Sequence, residues 1–157
     1  MTIRIEAEEI VRASPQEVFA LIDDFSRTPE WSSTCASLEK VGQGPNAPGD
    51  RLKYAVRERQ GNEARVGPFE GRILERVPGE RLTYVIDSQG MKSTMDYRLV
   101  PVSRGTRIRF AIELEPRFWL VRIGHRLMGR TIRRAVERMA AADLNNIGAL
   151  VEDCPGQ

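Results

Sequence analysis

Five successive stretches, residues 51–59, 64–77, 81–89, 91–100 and 105–115, read as strands, and one long helical pattern over 118–150 follows them. In four of the five the apolar residues keep to one side: Leu52, Tyr54, Val56; Leu82, Tyr84, Ile86; Met91, Met95, Tyr97, Leu99; and Ile108, Phe110, Ile112, Leu114. Period-two alternation of this kind belongs to antiparallel strands with one solvated face. The apolar face has to be covered, and only the C-terminal helix is long enough to cover it. Short links at 78–80, 89–90 and 103–105, each with a glycine, suit hairpins. With a first strand at 3–12 and a short one at 37–41, the pattern predicts an α+β fold. Its sheet is curved, antiparallel and six- to seven-stranded, wrapped around the long helix, with two short helices after strand 1. A strongly curved sheet gripping one helix cannot pack solidly everywhere, so an internal cavity is expected between them.

The chain from Ile10 to Trp31 specifies its own local structure. Ser14 can cap a helix with its hydroxyl, Pro15 occupies the first helical position, and Glu17 stands where it can reach back and close a capping box. Val18, Phe19, Leu21, Ile22 and Phe25 then recur at helical spacing. Thr28 to Ser32 reads as a short helical turn carrying Trp31. The Gly- and Pro-rich segment 42–50 is a loop.

At 157 residues the chain fits one domain, placed at 1–150 with a tail at 151–157, and should bury roughly 68–70% of its unfolded surface. The 41% hydrophobic and 29% charged content is that of a globular protein. The N-terminus alternates like a strand and lacks an apolar signal core, so a cytoplasmic location is expected. Cys35 and Cys154 are too few for a disulfide framework and read as two reduced thiols. Charge is unevenly placed: Arg117 to Arg138 holds seven arginines and one acid, about +6 against a net +2.

The order of elements and several motifs resemble the START-like, or SRPBCC, superfamily, in its polyketide cyclase/dehydrase and lipid-transport branch. The residues carrying the resemblance are Ala13-Ser14-Pro15-Gln16-Glu17-Val18-Phe19, then Asp23 or Asp24, then Trp31. Downstream come Pro78-Gly79-Glu80-Arg81-Leu82, and Leu99-Val100-Pro101 followed by Gly105-Thr106-Arg107. The resemblance covers essentially the whole chain. It implies a helix-grip fold and a role in binding or transforming hydrophobic small molecules.

The cavity lining expected from these patterns is Trp31, Tyr54, Val56, Phe69, Arg72, Tyr84, Met95, Tyr97, Phe110, Met128, Ile132 and Met139. Apolar walls with a few polar groups characterise small-molecule sites, and three buried Tyr hydroxyls would each need a partner. Two phases are open for 64–77: either Phe69, Gly71 and Ile73 face inward, or Glu70, Arg72 and Leu74, with Arg72 then a buried charge. Trp31 is either a structural anchor or part of the cavity wall. The acids Glu9, Asp87, Asp96 and Glu113 fall at outward strand positions. Asp143 and Asn146 lie near the inward side of the helix, without an assignable role there.

Catalytic signals are sparse. Cys35 has no basic partner in sequence, and His125, the single histidine, stands among Arg122, Arg126 and Arg130. No nucleophile elbow, phosphate loop, dinucleotide fingerprint or zinc spacing occurs, and no cofactor or metal is expected. On a helical wheel Val121, Met128, Ile132, Ala135, Val136, Met139, Ile147 and Leu150 form an inward stripe. Arg122, Arg126, Arg130, Arg133, Arg134 and Arg138 lie opposite, interleaved with Trp119, Ile123 and Leu127. Three functions stay open. The first is a module that binds a hydrophobic or amphipathic small molecule (lipid, polyketide or isoprenoid-like) without catalysis. The second is a polyketide cyclase, aromatase or dehydratase. The third is peripheral contact with an anionic membrane or protein through Arg122, Arg126, Arg130 and Arg133. Nucleic acid is not expected as a partner, and either a monomer or a homodimer is compatible with the sequence.

Overall fold

The computed structural model describes residues 2–57, 65–88, 90–116 and 119–152, apart from the side chains of 65–66, 119–122, 124–125 and 127–128. Seven strands form one antiparallel sheet: β1 (Ile3–Val11), β2 (Cys35–Lys40), β3 (Arg51–Arg57), β4 (Arg65–Val77), β5 (Arg81–Ser88), β6 (Met91–Val102) and β7 (Gly105–Pro116). Their order is β1-β7-β6-β5-β4-β3-β2, so β1 and β2 stand at opposite edges. Between those two edges the chain makes α1 (Pro15–Asp23), one 3-10 turn (Phe25–Arg27) and α2 (Thr28–Trp31). The long α3 (Trp119–Glu152) closes the fold, which is the helix-grip arrangement.

The helices begin where local chemistry says they should. The Ser14 hydroxyl accepts from the Glu17 amide at 3.2 Å, and the Glu17 carboxylate accepts from the Ser14 amide at 2.9 Å, so the capping box is closed. Val18, Phe19, Leu21 and Ile22 then bury one side of α1. The turn into β7 requires glycine. Gly105 has φ +144°, and a Cβ there would lie 2.0 Å from the Val11 carbonyl oxygen.

Register turns the period-two pattern into layers across the concave face. One row runs Ile73, Tyr84, Met95, Ile112, Ile5; the next runs Leu82, Tyr97, Phe110, Ala7. The phase left open on β4 is thereby settled. Ile73 is fully buried opposite Tyr84, and Phe69 packs on the core from beside Tyr54. Arg72 is exposed on the convex face, and the expectation of a buried charge there is corrected. The ambiguity has a physical source. Register shifts opposite Tyr54/Val56 and between Ile73 and Glu75 break the alternation, leaving apolar Leu74 48% exposed.

Helix α3 reaches Glu152, so Val151 and Glu152 belong to its last turn rather than to a tail. Val151 is buried, and the Glu152 carboxylate accepts from the Arg12 amide at 2.8 Å. The buried stripe of α3 centres on Ala140, Leu144, Ile147 and Val151, with Val136 and Leu150 packed at its margins. Ile132 and Ala135 are only half-buried. The stripe members Val121 and Met128 lie outside the described side chains.

One ion pair fastens α1 to the sheet. Arg76 on β4 donates to both carboxylate oxygens of Asp23 at 2.9 and 2.8 Å, and Asn46 from the 42–50 loop adds a bond at 3.1 Å. Burial alone would raise the Asp23 pKa, but the bonds from Arg76 and Asn46 outweigh it and hold the carboxyl below its usual value. Stability from such a lowered group is present above the unfolded value near 3.9 and is lost as pH falls through the native one. Asp23→Asn should therefore cost about 1–3 kcal/mol at pH 7. The gap from wild type should narrow below about pH 4, measured by urea melts across pH.

Candidate functional site

Where the concave face rises past the reach of α3's packed stripe, a cavity of about 250 Å³ remains. Among the described residues its wall comprises Tyr54 and Val56 from β3, Tyr84, Ile86 and Ser88 from β5, Ser93, Met95 and Tyr97 from β6, and Phe110, Ile112 and Leu114 from β7. Thr28, Trp31, Ser32 and Thr34 close it from the α2–β2 side, and Val136, Met139 and Asp143 from α3. The aromatic rings brace one another. Tyr97 lies 4.7 Å from Phe110, stacks on Tyr84 at 6.2 Å, and takes the Trp31 edge at 5.9 Å and 83°. Phe25 meets Tyr84 edge-on at 5.7 Å. Rings held this way form walls and do not collapse into the space.

Three tyrosine hydroxyls lie among the polar groups of the wall. The Tyr54 hydroxyl pairs with Thr34 at 3.3 Å, and burial pushes its pKa up to about 12. Burial likewise raises the hydroxyls of Tyr84 and Tyr97, which interact with each other. At neutral pH all three are therefore neutral donors. Cys35 sits behind the same wall, fully buried and raised to about 12 by burial, which suits a packed thiol and not a nucleophile.

Asp143 is the group that sequence reasoning left without a role. Its carboxylate accepts from the Ser33 amide at 2.9 Å, and one turn later the Asn146 amide donates to the Trp31 carbonyl at 3.1 Å. These two bonds lace the α2–β2 connection onto α3 and so hold Trp31 in place. No cation pairs with Asp143 among the described residues, and burial raises its carboxyl pKa above the usual value. A signal existed in sequence, since Asp143 and Asn146 interrupt the inward side of an amphipathic helix where apolar residues are expected.

Eight of the twelve expected lining residues surround this cavity: Trp31, Tyr54, Val56, Tyr84, Met95, Tyr97, Phe110 and Met139. Phe69 packs against the core one strand away from the wall, and Arg72 points to solvent. Ile132 is half-buried and does not contribute to the wall, because it sits a turn beyond Val136. Met128 and His125 fall outside the described side chains. Asp96, placed outward by the alternation, does face the convex side but is buried there by Arg81, Arg98 and Thr83. Arg126, Arg130, Arg133, Arg134 and Arg138 are exposed, and Arg133 donates to the Arg4 carbonyl at 3.2 Å. Arg122 lies outside the described side chains. Among the described residues, no cluster of three or more His, Cys, Asp or Glu could hold a metal, and no helix is long and apolar enough to cross a membrane.

A curved antiparallel sheet that grips one long helix is the helix-grip class of fold. The chain belongs to the polyketide cyclase / dehydrase and lipid transport family, whose sequence profile matches residues 2–152. The START-like fold is shared by solved structures of low identity. TTHA0849 from Thermus thermophilus superposes with a TM-score of 0.76 at 16% identity, covering 98% of this chain and 100% of that one. The di-domain ARO/CYC StfQ of the steffimycin biosynthetic pathway gives 0.77 at 14% identity, with 98% of this chain matching 52% of that one. CV1439 from Chromobacterium violaceum gives 0.67 at 19%, covering 98% and 99%. No curated protein matches by sequence.

An unpaired carboxyl whose native pKa is raised weakens the fold as pH rises from its unfolded value to its native one, and the deficit is constant above. Asp143→Asn keeps an acceptor for the Ser33 amide and removes the buried charge. The variant should be more stable than wild type at pH 7, with the advantage gone at pH 3, as thermal melts at both values can check.

Proposed function

We propose that this protein holds a hydrophobic or amphipathic small molecule in the cavity between sheet and α3, without changing it covalently. The observation that carries this reading is the cavity itself: about 250 Å³ walled by braced aromatic rings, with polar side chains set among them. Its size narrows the ligand. A cavity of about 150 Å³ takes benzene, so this one suits a molecule of one or two fused rings. Affinity would come from apolar area removed from water, about 25 cal/mol per Å² before the costs of immobilisation. The encounter would take place in the cytoplasm, in keeping with the buried free thiol of Cys35.

A second reading has its own observation. Asp143 places a carboxyl of raised pKa in the cavity wall, where it could accept or donate a proton for a cyclase- or dehydratase-type reaction. Native mass spectrometry of protein purified from its own host separates the two. The binding reading expects one co-purified compound of one- or two-ring size, released unchanged on denaturation. A fully empty or water-filled cavity would sink it. Turnover of the released compound by wild type, lost in Asp143→Asn while binding persists, would replace it with the enzymatic reading.

The exposed face of α3 supports a separate proposal of peripheral contact with an anionic membrane surface. Ile123 is 47% exposed on the same helix as exposed Arg126, Arg130 and Arg134, so apolar and cationic groups share a surface. Co-sedimentation with vesicles of anionic lipid should occur at low salt and fall steeply toward about 0.5 M. Binding that ignores salt, or none at all, would remove the idea.

A further inference from the structure

The walls of the cavity are not chemically even, and the exception lies on α2. Among the described residues three buried side-chain polar atoms have no hydrogen-bond partner: Thr28 Oγ1, Trp31 Nε1 and Arg107 Nε. The last is not isolated, since the Glu8 carboxylate stands 3.6 Å away on the convex face. The other two have no counter-group. Both residues are only 2% exposed, and both line the cavity. Thr28 and Trp31 are three residues apart on one helical turn, so their side chains project from the same face.

A buried donor left unmade is expensive, and native proteins rarely tolerate one. The edge-on contact with Tyr97 fixes the plane of the indole but offers it no oxygen acceptor. The bonds from Asn146 to the Trp31 carbonyl and from the Ser33 amide to Asp143 hold the backbone around the pair. The backbone that carries the two donors is thus tied down. A carbonyl oxygen has two lone pairs and could accept from both.

We propose that Trp31 Nε1 and Thr28 Oγ1 form a two-donor clamp for the carbonyl oxygen of the cavity's ligand, which is therefore a compact ring ketone or quinone-like compound and not a pure hydrocarbon. This rests on the reading of the cavity as a ligand site and adds the functional group that it selects. The rings carry the apolar part of the ligand; the α2 turn reads its oxygen. A site built to hydrogen-bond one group discriminates strongly against the analogue lacking it, because the buried donors then stay unpaired.

The test compares 1-tetralone with tetralin, two probes of the same ring skeleton that differ by one carbonyl oxygen. Apolar burial alone makes tetralin the tighter ligand. The clamp predicts the reverse, with tetralone about tenfold tighter on wild type by calorimetry or competition fluorescence. Thr28→Val, close to isosteric and free of the orphan hydroxyl, should reduce that preference, and Trp31→Phe should abolish it while tetralin still binds. Of the two indole N–H signals in a nitrogen-proton spectrum, the one that Trp119→Phe leaves in place should move with tetralone and not with tetralin. Equal or tighter binding of tetralin to wild type, or an indole signal unmoved by tetralone, overturns the clamp and leaves the cavity reading standing. Failure of both probes to bind wild type overturns the cavity reading, and the clamp with it.

Discussion

One geometric mismatch governs this molecule: a seven-stranded sheet with a continuous apolar concave face is served by a single long helix. Where α3 meets β1 the match is tight. Ala140, Leu144, Ile147 and Val151 are buried, and a Cβ on Gly148 would already stand 3.1 Å from a Val11 methyl. Further along, beside Met95 and Tyr97, the cavity lies between sheet and helix. That space exists because of fold geometry; its walls persist because Tyr84, Tyr97, Phe110 and Trp31 lock one another in place by ring contacts.

The two helical pieces between β1 and β2 follow from the same constraint. Edges at opposite ends of one sheet must be joined by a connection that crosses the mouth of the concavity, and α1 and α2 are that connection. It is tied at both ends. Asp23 engages Arg76 and Asn46 on one side, while Asp143 and Asn146 bind the α2–β2 turn on the other. A strap fastened this way can carry buried polar atoms that a loose loop would turn to water.

The strands, their one-sided alternation, the Ser14–Glu17 cap and the covering helix were legible because each rests on a local period or spacing. Phe69 and Arg72 were not, because β4 carries apolar residues in both phases and its register shifts decide between them only through neighbouring strands. Asp143 was visible as an anomaly on an apolar stripe, yet its role depends on Ser33, 110 positions away in sequence. The end of α3 was misplaced by two residues because no glycine or proline stops the helix between Leu150 and Cys154. The unpartnered state of Thr28 and Trp31 had no sequence signal at all, since satisfaction is a property of everything around an atom.

That last property separates the two faces of the sheet. On the convex face charge meets charge: Arg4 with Glu113 at 2.7 Å, Arg81 with Asp96 at 3.0 Å, Arg109 with Glu8 at 3.4 Å. The exposed ones among these pairs contribute little to stability. The concave face is the opposite. Two polar atoms beside the cavity, the Thr28 hydroxyl and the Trp31 N–H, are unmatched by protein. Local rules of burial and pairing are kept throughout a fold and broken where function demands it. Solved structures at 14–19% identity share this container. The two unpartnered atoms on α2 set the cavity wall apart from the ion-paired convex face.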